Sequence, residues 1–200
     1  MRSSLRERRK QMLRDEILDA ARMLLAEKGY AAMAMDELAA QVGISKPTLY
    51  SHFPTKDDIV VATAVREMER FLALIESDAG GQTPLQRLIF AMRRLIQLHI
   101  EKETIELRSW APELFQLLCA HEVALSCMRR IDAAIIALIQ AGMAAGEIDP
   151  ELDPPTVAAA FYALSSALRH VRFTRGGPLN PAAADVLTAI FVRGVRSVER

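Results

Sequence analysis

The chain is short of the residues that build most enzyme sites and disulfide scaffolds. It has two cysteines, four histidines and one tryptophan in 200 residues. Cys119 and Cys127 cannot make a disulfide framework, and eight residues apart they fit neither a CxxC nor a close metal-ligand spacing. They predict two buried thiols in a reducing compartment, or else a redox or metal sensor with His121 as the nearby helper. The histidines (His52, His99, His121, His170) form no HExxH and no i, i+4 pair, so metal catalysis gets no support. Nine Gly and nine Pro exclude a low-complexity or collagen-like chain. The longest uncharged run, from Pro154 to Leu168, has 15 residues, short of the ~18 that would argue a membrane span. Asp15, Glu16 and Asp19 interrupt the N-terminal segment, so no apolar signal region follows it. A formal net charge of zero excludes a wholly basic, histone-like protein. These absences predict a soluble cytoplasmic protein with no membrane association.

Apolar residues are plentiful, at 51%, with 25% charged, which suffices for a large hydrophobic core. Charge is unevenly spread. Residues 1–14 hold six basic side chains (Arg2, Arg6, Arg8, Arg9, Lys10, Arg14) and one acid, Glu7, for a net +5. A basic arm at one end of a neutral chain points to a local polyanion contact, or else to a solvated tail.

The recurring pattern is the 3.6-residue helical period, punctuated by short breakers. Ser4 and Glu7 form a possible capping box, and Leu13, Ile17, Ala21, Leu24 and Lys28 trace a first helix ending at Gly29. Met35, Leu38, Ala39 and Val42 make a short stripe that stops at Gly43. Ser45 caps a third helix with Pro47 in its first turn, running to about Phe53. Thr55 caps a long fourth helix with Asp57 and Asp58 in its first turn. Further stripes begin at Leu85, Met128 and Val157, and a last helix spans about 181–198. Lys102 to His121 reads as a broken region around Pro112, and Asp149 to Pro155 as a loop. The expected fold class is all-α, with eight or nine helices and no sheet.

The informative stretch is 35–56. A short helix, a turn centred on Gly43 and a second short helix describe a helix-turn-helix. Leu38, Ala39 and Val42 pack the pair, Ile44 and Leu49 brace it from inside, and Gly43 tolerates positive φ. Lys46, Pro47, Thr48, Ser51 and His52 form the outward set, with Tyr50 beside them. Spacing alone leaves an ordinary αα-hairpin open.

The run from Gly43 through Lys46-Pro47-Thr48-Leu49-Tyr50-Ser51-His52-Phe53 to Asp57 resembles the signature of the tetracycline-repressor (TetR) family of regulators. Ile17 to Ala21, Glu27-Lys28-Gly29-Tyr30 and Met35 to Ala39 resemble that family's first two helices. The resemblance covers residues 13–60. Where the family often has Ser or Thr capping the second helix, this chain has Ala34.

The resemblance implies a three-helix DNA-binding domain, with the N-terminal arm, over residues 1–56, and a larger helical ligand-binding and dimerisation domain over 57–200. It implies a homodimer on a near-palindromic double-stranded DNA operator, repressing transcription until a small, largely apolar effector binds. No cofactor is implied. It places Lys46, Pro47, Thr48, Tyr50, Ser51 and His52 on the recognition helix and Lys56 at a phosphate-contacting position. Candidate ligand-pocket residues are Met92, Ile96, His99, Trp110, Phe115, Cys119, Met128 and Ile131, with ordinary core packing open for each. Arg93, Glu106 and Arg108 are candidates to select a ligand's charge. Candidate dimer anchors are Phe161, Leu164, Leu168, Leu187, Ile190 and Phe191, or these pack in the monomer core. Two other classes remain: an enzyme on an all-α scaffold, for which nucleophile–base pairs and phosphate loops are missing, and a same-fold protein with an architectural or cell-division role acting through a protein partner.

Overall fold

A computed structural model describes residues 4–77, 81–101, 112–168, 180 and 182–196. Among them lie nine helices and no strand: α1 (Leu5–Ala32), α2 (Met35–Val42), α3 (Lys46–His52), α4 (Lys56–Glu76), α5 (Pro84–Glu101), α6 (Pro112–Ala120), α7 (Glu122–Ala144), α8 (Pro154–Ser165) and α9 (Ala183–Val195).

Local side-chain chemistry sets most of the starts. Ser4 Oγ accepts from Glu7 N while the Glu7 carboxylate accepts from Ser4 N, a complete capping box. Thr55 and Asp58 repeat it before α4, and Thr83 and Gln86 before α5. Asp153 Oδ2 accepts from Thr156 N at the head of α8. Gly29, at φ 77° and ψ 174°, breaks α1 near its end, where the sequence places the stop.

Proline misleads in two places. The expected broken region from Lys102 to His121 contains α6, which begins at Pro112, and the expected loop up to Pro155 ends earlier, at Asp153. A proline in the first helical turn loses nothing, because its absent N–H would have had no intrahelical acceptor. Residues 169–179 and 197–200, onto which the last two predicted helices extend, lie outside the described residues.

The described residues form two compact units. The first takes in residues up to Glu67 together with 112–125. Its core is Ile17, Leu18, Ala21, Leu24, Met33, Leu38, Leu49, Phe53 and Ile59, with Leu114 and Leu117 of α6 packed against it. The second takes in Met68 to Glu101 and Ser126 onward, with α5, α8 and α9 in mutual contact. Its core centres on Leu72, Leu88, Met92, Ile96, Ile135, Ile139, Phe161 and Phe191. The Phe161 and Phe191 rings meet edge to face with centroids 5.9 Å apart.

Buried hydroxyls in the helices are satisfied within them. Thr63, Ser165 and Thr188 each donate to the carbonyl four residues back. The Glu147 carboxylate accepts from Leu85 N at the head of α5, and Asp149 N donates to Val195 O at the end of α9. Cys127 is buried, as expected of both thiols, and burial pushes its pKa up. Cys119 is only half-buried, on α6.

Candidate nucleic-acid interface

Helices α2 and α3 make the expected pair. Gly43 sits in the left-handed region at φ 76°, ψ 29°, where it caps α2. Gly43 N donates to Ala40 O and Ile44 N to Ala39 O, closing the last turn. Ser45 then opens α3: its Oγ accepts from Thr48 N at 3.3 Å and lies 2.7 Å from Thr48 Oγ1. Leu49 and Phe53, both fully buried, anchor the inner side of α3.

With that side fixed, α3 turns the remaining side chains outward. Lys46, Pro47, Tyr50 and Ser51 are exposed, Thr48 and His52 half-buried. The Ser51 hydroxyl donates to Thr48 O. Of these six, Lys46, Thr48, Tyr50 and Ser51 carry hydroxyl or ammonium groups.

Lys56 stands apart, at the first residue of α4. Its ammonium lies 4.7 Å from the centre of the Tyr30 ring and donates to Ala31 O. Burial lowers its pKa, opposed by Asp57, and Asp57 also accepts from the Tyr30 hydroxyl at 2.7 Å. Lys56 is therefore held against the end of α1.

The basic N-terminal segment is helical from Leu5, so Arg6, Arg8, Arg9 and Lys10 project from an exposed, capped helix. Arg14 differs from them: it is half-buried and reaches the end of α3, donating to His52 O at 3.0 Å. Neither that role nor the bridge from Lys46 to Asp36 at 2.6 Å is legible in the sequence. No spacing rule links residues 38 or 10 positions apart.

At α2 the hydroxyl cap is missing. Ala34 is the N-cap and offers no side-chain acceptor, leaving the first turn to Asp36 and Glu37, whose charges suit the helix dipole.

The remaining candidates scatter. Met92, Ile96 and Ile131 lie in one apolar cluster of the second unit, with Met128 half-buried on α7. Phe115 and Cys119 belong to the first unit, and Phe115 is 52% exposed. The His99 side chain, Trp110, Glu106 and Arg108 lie outside the described residues, and Arg93 bridges Asp185 at 3.0 Å. Phe161, Leu168 and Phe191 are buried in the second unit's own core, Leu164 and Leu187 are half-buried, and Ile190 is 52% exposed. Among the described residues no group of three or more His, Cys, Asp or Glu is placed to hold a metal ion, and none of their helices is long and apolar enough to cross a membrane.

The capped helix α3 braced on α2, with the basic helix α1 beside them, defines a helix-turn-helix protein. Residues 17–63 match the model of bacterial regulatory proteins, tetR family. Residues 17–63 thus carry the N-terminal domain of that family. Over 91 residues it is 38% identical to the HTH-type transcriptional repressor KstR of Mycolicibacterium smegmatis, covering 45% of this chain and 42% of that protein. Over 92 residues it is 28% identical to the HTH-type transcriptional regulator TcmR of Streptomyces glaucescens, covering 46% and 41%. The chain thus spans about two-fifths of the length of these curated relatives. Its fold is that of the transcriptional regulator FadR from Bacillus subtilis, solved with stearoyl-CoA: TM-score 0.72 at 21% identity, over 90% of this chain and 98% of that one.

Proposed function

We propose that the protein is a sequence-specific DNA-binding transcriptional regulator: a homodimeric repressor that leaves a near-palindromic operator when a small, largely apolar ligand binds its C-terminal part. In this reading residues 1–56 carry the DNA contacts and residues 57–200 the ligand and dimer contacts. The observation that carries it is the α3 surface, capped by Ser45 and anchored by Leu49 and Phe53, which presents Lys46, Thr48, Tyr50 and Ser51 outward.

Each residue takes a role from its chemistry. The Lys46 ammonium donates to guanine edges. Thr48 and Tyr50 offer hydroxyls to phosphate and apolar surface to a thymine methyl, while Pro47 and Ser51 line the same surface. His52 and Lys56 serve phosphate. Dimerisation supplies the second half-site that one seven-residue helix cannot read alone. Exposed Ile190, with Leu164 and Leu187 beside the buried Phe161, Leu168 and Phe191, is the candidate contact between copies. An apolar effector accords with Met92, Ile96 and Ile131 of the second unit's apolar cluster and with half-buried Met128 on α7. The stearoyl-CoA bound by the Bacillus subtilis FadR accords with it too.

The test is selection of genomic DNA fragments on the purified protein at near-physiological salt, followed by binding measurements with a Thr48→Ala, Tyr50→Ala variant. A palindromic site no longer bound by the variant supports the reading. Sequence-blind binding that survives both substitutions sinks the recognition-helix assignment. Many dispersed sites with no small-molecule response would favour an architectural role instead.

A further inference from the structure

Asp36 and Glu37 are neighbours in the first turn of α2, yet their carboxylates serve different helices. Glu37 takes the Lys28 ammonium of α1. Asp36 reaches across to α3, with Oδ1 2.6 Å from Lys46 Nζ. Both partners of this second bridge are more than half exposed, at 71% and 54% of their side chains, so it satisfies no buried charge and adds little to stability. Its position is what distinguishes it. Lys46 is the first residue of α3, one turn before exposed Tyr50, where the helix dipole disfavours a cation.

We propose that Asp36 is a specificity-determining partner of Lys46, the two acting as one charge-cancelled unit that directs the ammonium to base edges and away from phosphate. The proposal rests on the reading of α3 as the DNA-reading helix. An ammonium has three N–H donors, and the bridge occupies one. The other two remain for a guanine O6 and N7, which are neutral acceptors. Phosphate is different, since its attraction is mainly Coulombic and a carboxylate 2.6 Å from the ammonium opposes it. A bare lysine at this place would bind every duplex through the backbone. Paired with Asp36, it keeps its hydrogen bonds to the right bases and loses most of its pull on the wrong ones.

The experiment compares wild type with Asp36→Asn on the selected operator and on a scrambled duplex, across a series of salt concentrations. Asparagine keeps the size of the side chain and removes the charge at an exposed site; because that charge also suits the α2 dipole, equilibrium unfolding is measured alongside binding, and Asp36→Ala serves as a second variant. The expected result is about threefold tighter binding to the scrambled duplex, with no gain on the operator. The slope of log affinity against log salt on the scrambled duplex steepens by about 0.9, the count of one further phosphate neutralised. In a Lys46→Gln background Asp36→Asn leaves that slope where it was. Equal gains on both duplexes would make Asp36 a distant charge and overturn the proposal. So would a weakening on the operator that persists without Lys46, since Asp36 would then contact DNA itself. If wild type prefers no duplex at all, the recognition-helix reading fails and this proposal with it; a preferred site whose margin over scrambled DNA survives Asp36→Asn defeats the proposal alone.

Discussion

The Arg14 guanidinium carbon lies 3.9 Å from the centre of the Phe53 ring, and its Nη1 donates to the His52 carbonyl oxygen 3.0 Å away. One side chain of α1 thus covers the residue that anchors α3 and satisfies a carbonyl at its end. Both interactions draw on features particular to arginine, a flat cation that stacks on an aromatic face while its edge donates.

Arg14→Gln should therefore lower stability by about 1 kcal/mol and weaken operator binding without changing its salt slope. Lysine should fail to restore either. Arg8→Gln and Arg9→Gln should behave oppositely, with unaltered thermal stability and a flatter salt dependence, by up to about 0.9 for each phosphate that is no longer neutralised. Chemical denaturation and salt-titrated binding on the four variants separate the two groups. A flattened slope for Arg14→Gln would return it to the phosphate-contacting set.

Ala34→Ser should add about 1 kcal/mol of stability by giving α2 the hydroxyl acceptor it lacks. Ser4, Ser45, Thr55 and Asp153 show that this chain uses such caps elsewhere. A raised melting temperature is the expected reading, and a clear fall would mean that the serine competes for a different backbone group.

Two glycines should respond to substitution for different reasons. At Gly43 an added Cβ meets nothing within 4 Å, so Gly43→Ala costs only the left-handed backbone, about 1 kcal/mol, and Gly43→Asn costs less. At Gly142 the added Cβ would stand 2.8 Å from Ile148 Cδ1. Gly142→Ala should therefore destabilise, and Ile148→Val, which removes that methyl, should relieve part of the destabilisation. Equilibrium unfolding of the double mutant, compared with the singles, measures the coupling.

His52 carries a pH signature. Burial lowers its pKa first, and the positive charges of Lys10 and Arg14 lower it further, from an ordinary value of 6.5. Its Nδ1 is buried without a hydrogen-bond partner. The unfolded chain thus binds this proton more readily than the fold does. Stability from this group is present above pH 6.5 and is lost as pH falls through the depressed folded pKa. Denaturant midpoints between about pH 7.5 and 5 should fall for wild type and fall less for His52→Gln. Parallel curves would show that His52 titrates alike in both states.

Much of this protein is legible from local signals. The starts at Ser4, Ser45 and Thr55, the stops at Gly29 and Gly43, the inward Leu49 and the outward Lys46, Thr48 and Tyr50 all depend on partners within about four residues, where spacing and side-chain chemistry suffice. Reading 112–120 as part of a broken region is a local error too, made by treating a first-turn proline as an interior one. How versatile groups are used is settled by packing instead. It takes Arg14 out of a basic cluster and sets it on Phe53, far along the chain. It places Asp36 on Lys46, and it encloses Phe161 and Phe191 in a monomer core that the helical period could equally have left for an interface. A helix's apolar stripe states that a face must be covered; which surface covers it, and which cation meets which carboxylate, follows only once the helices are packed.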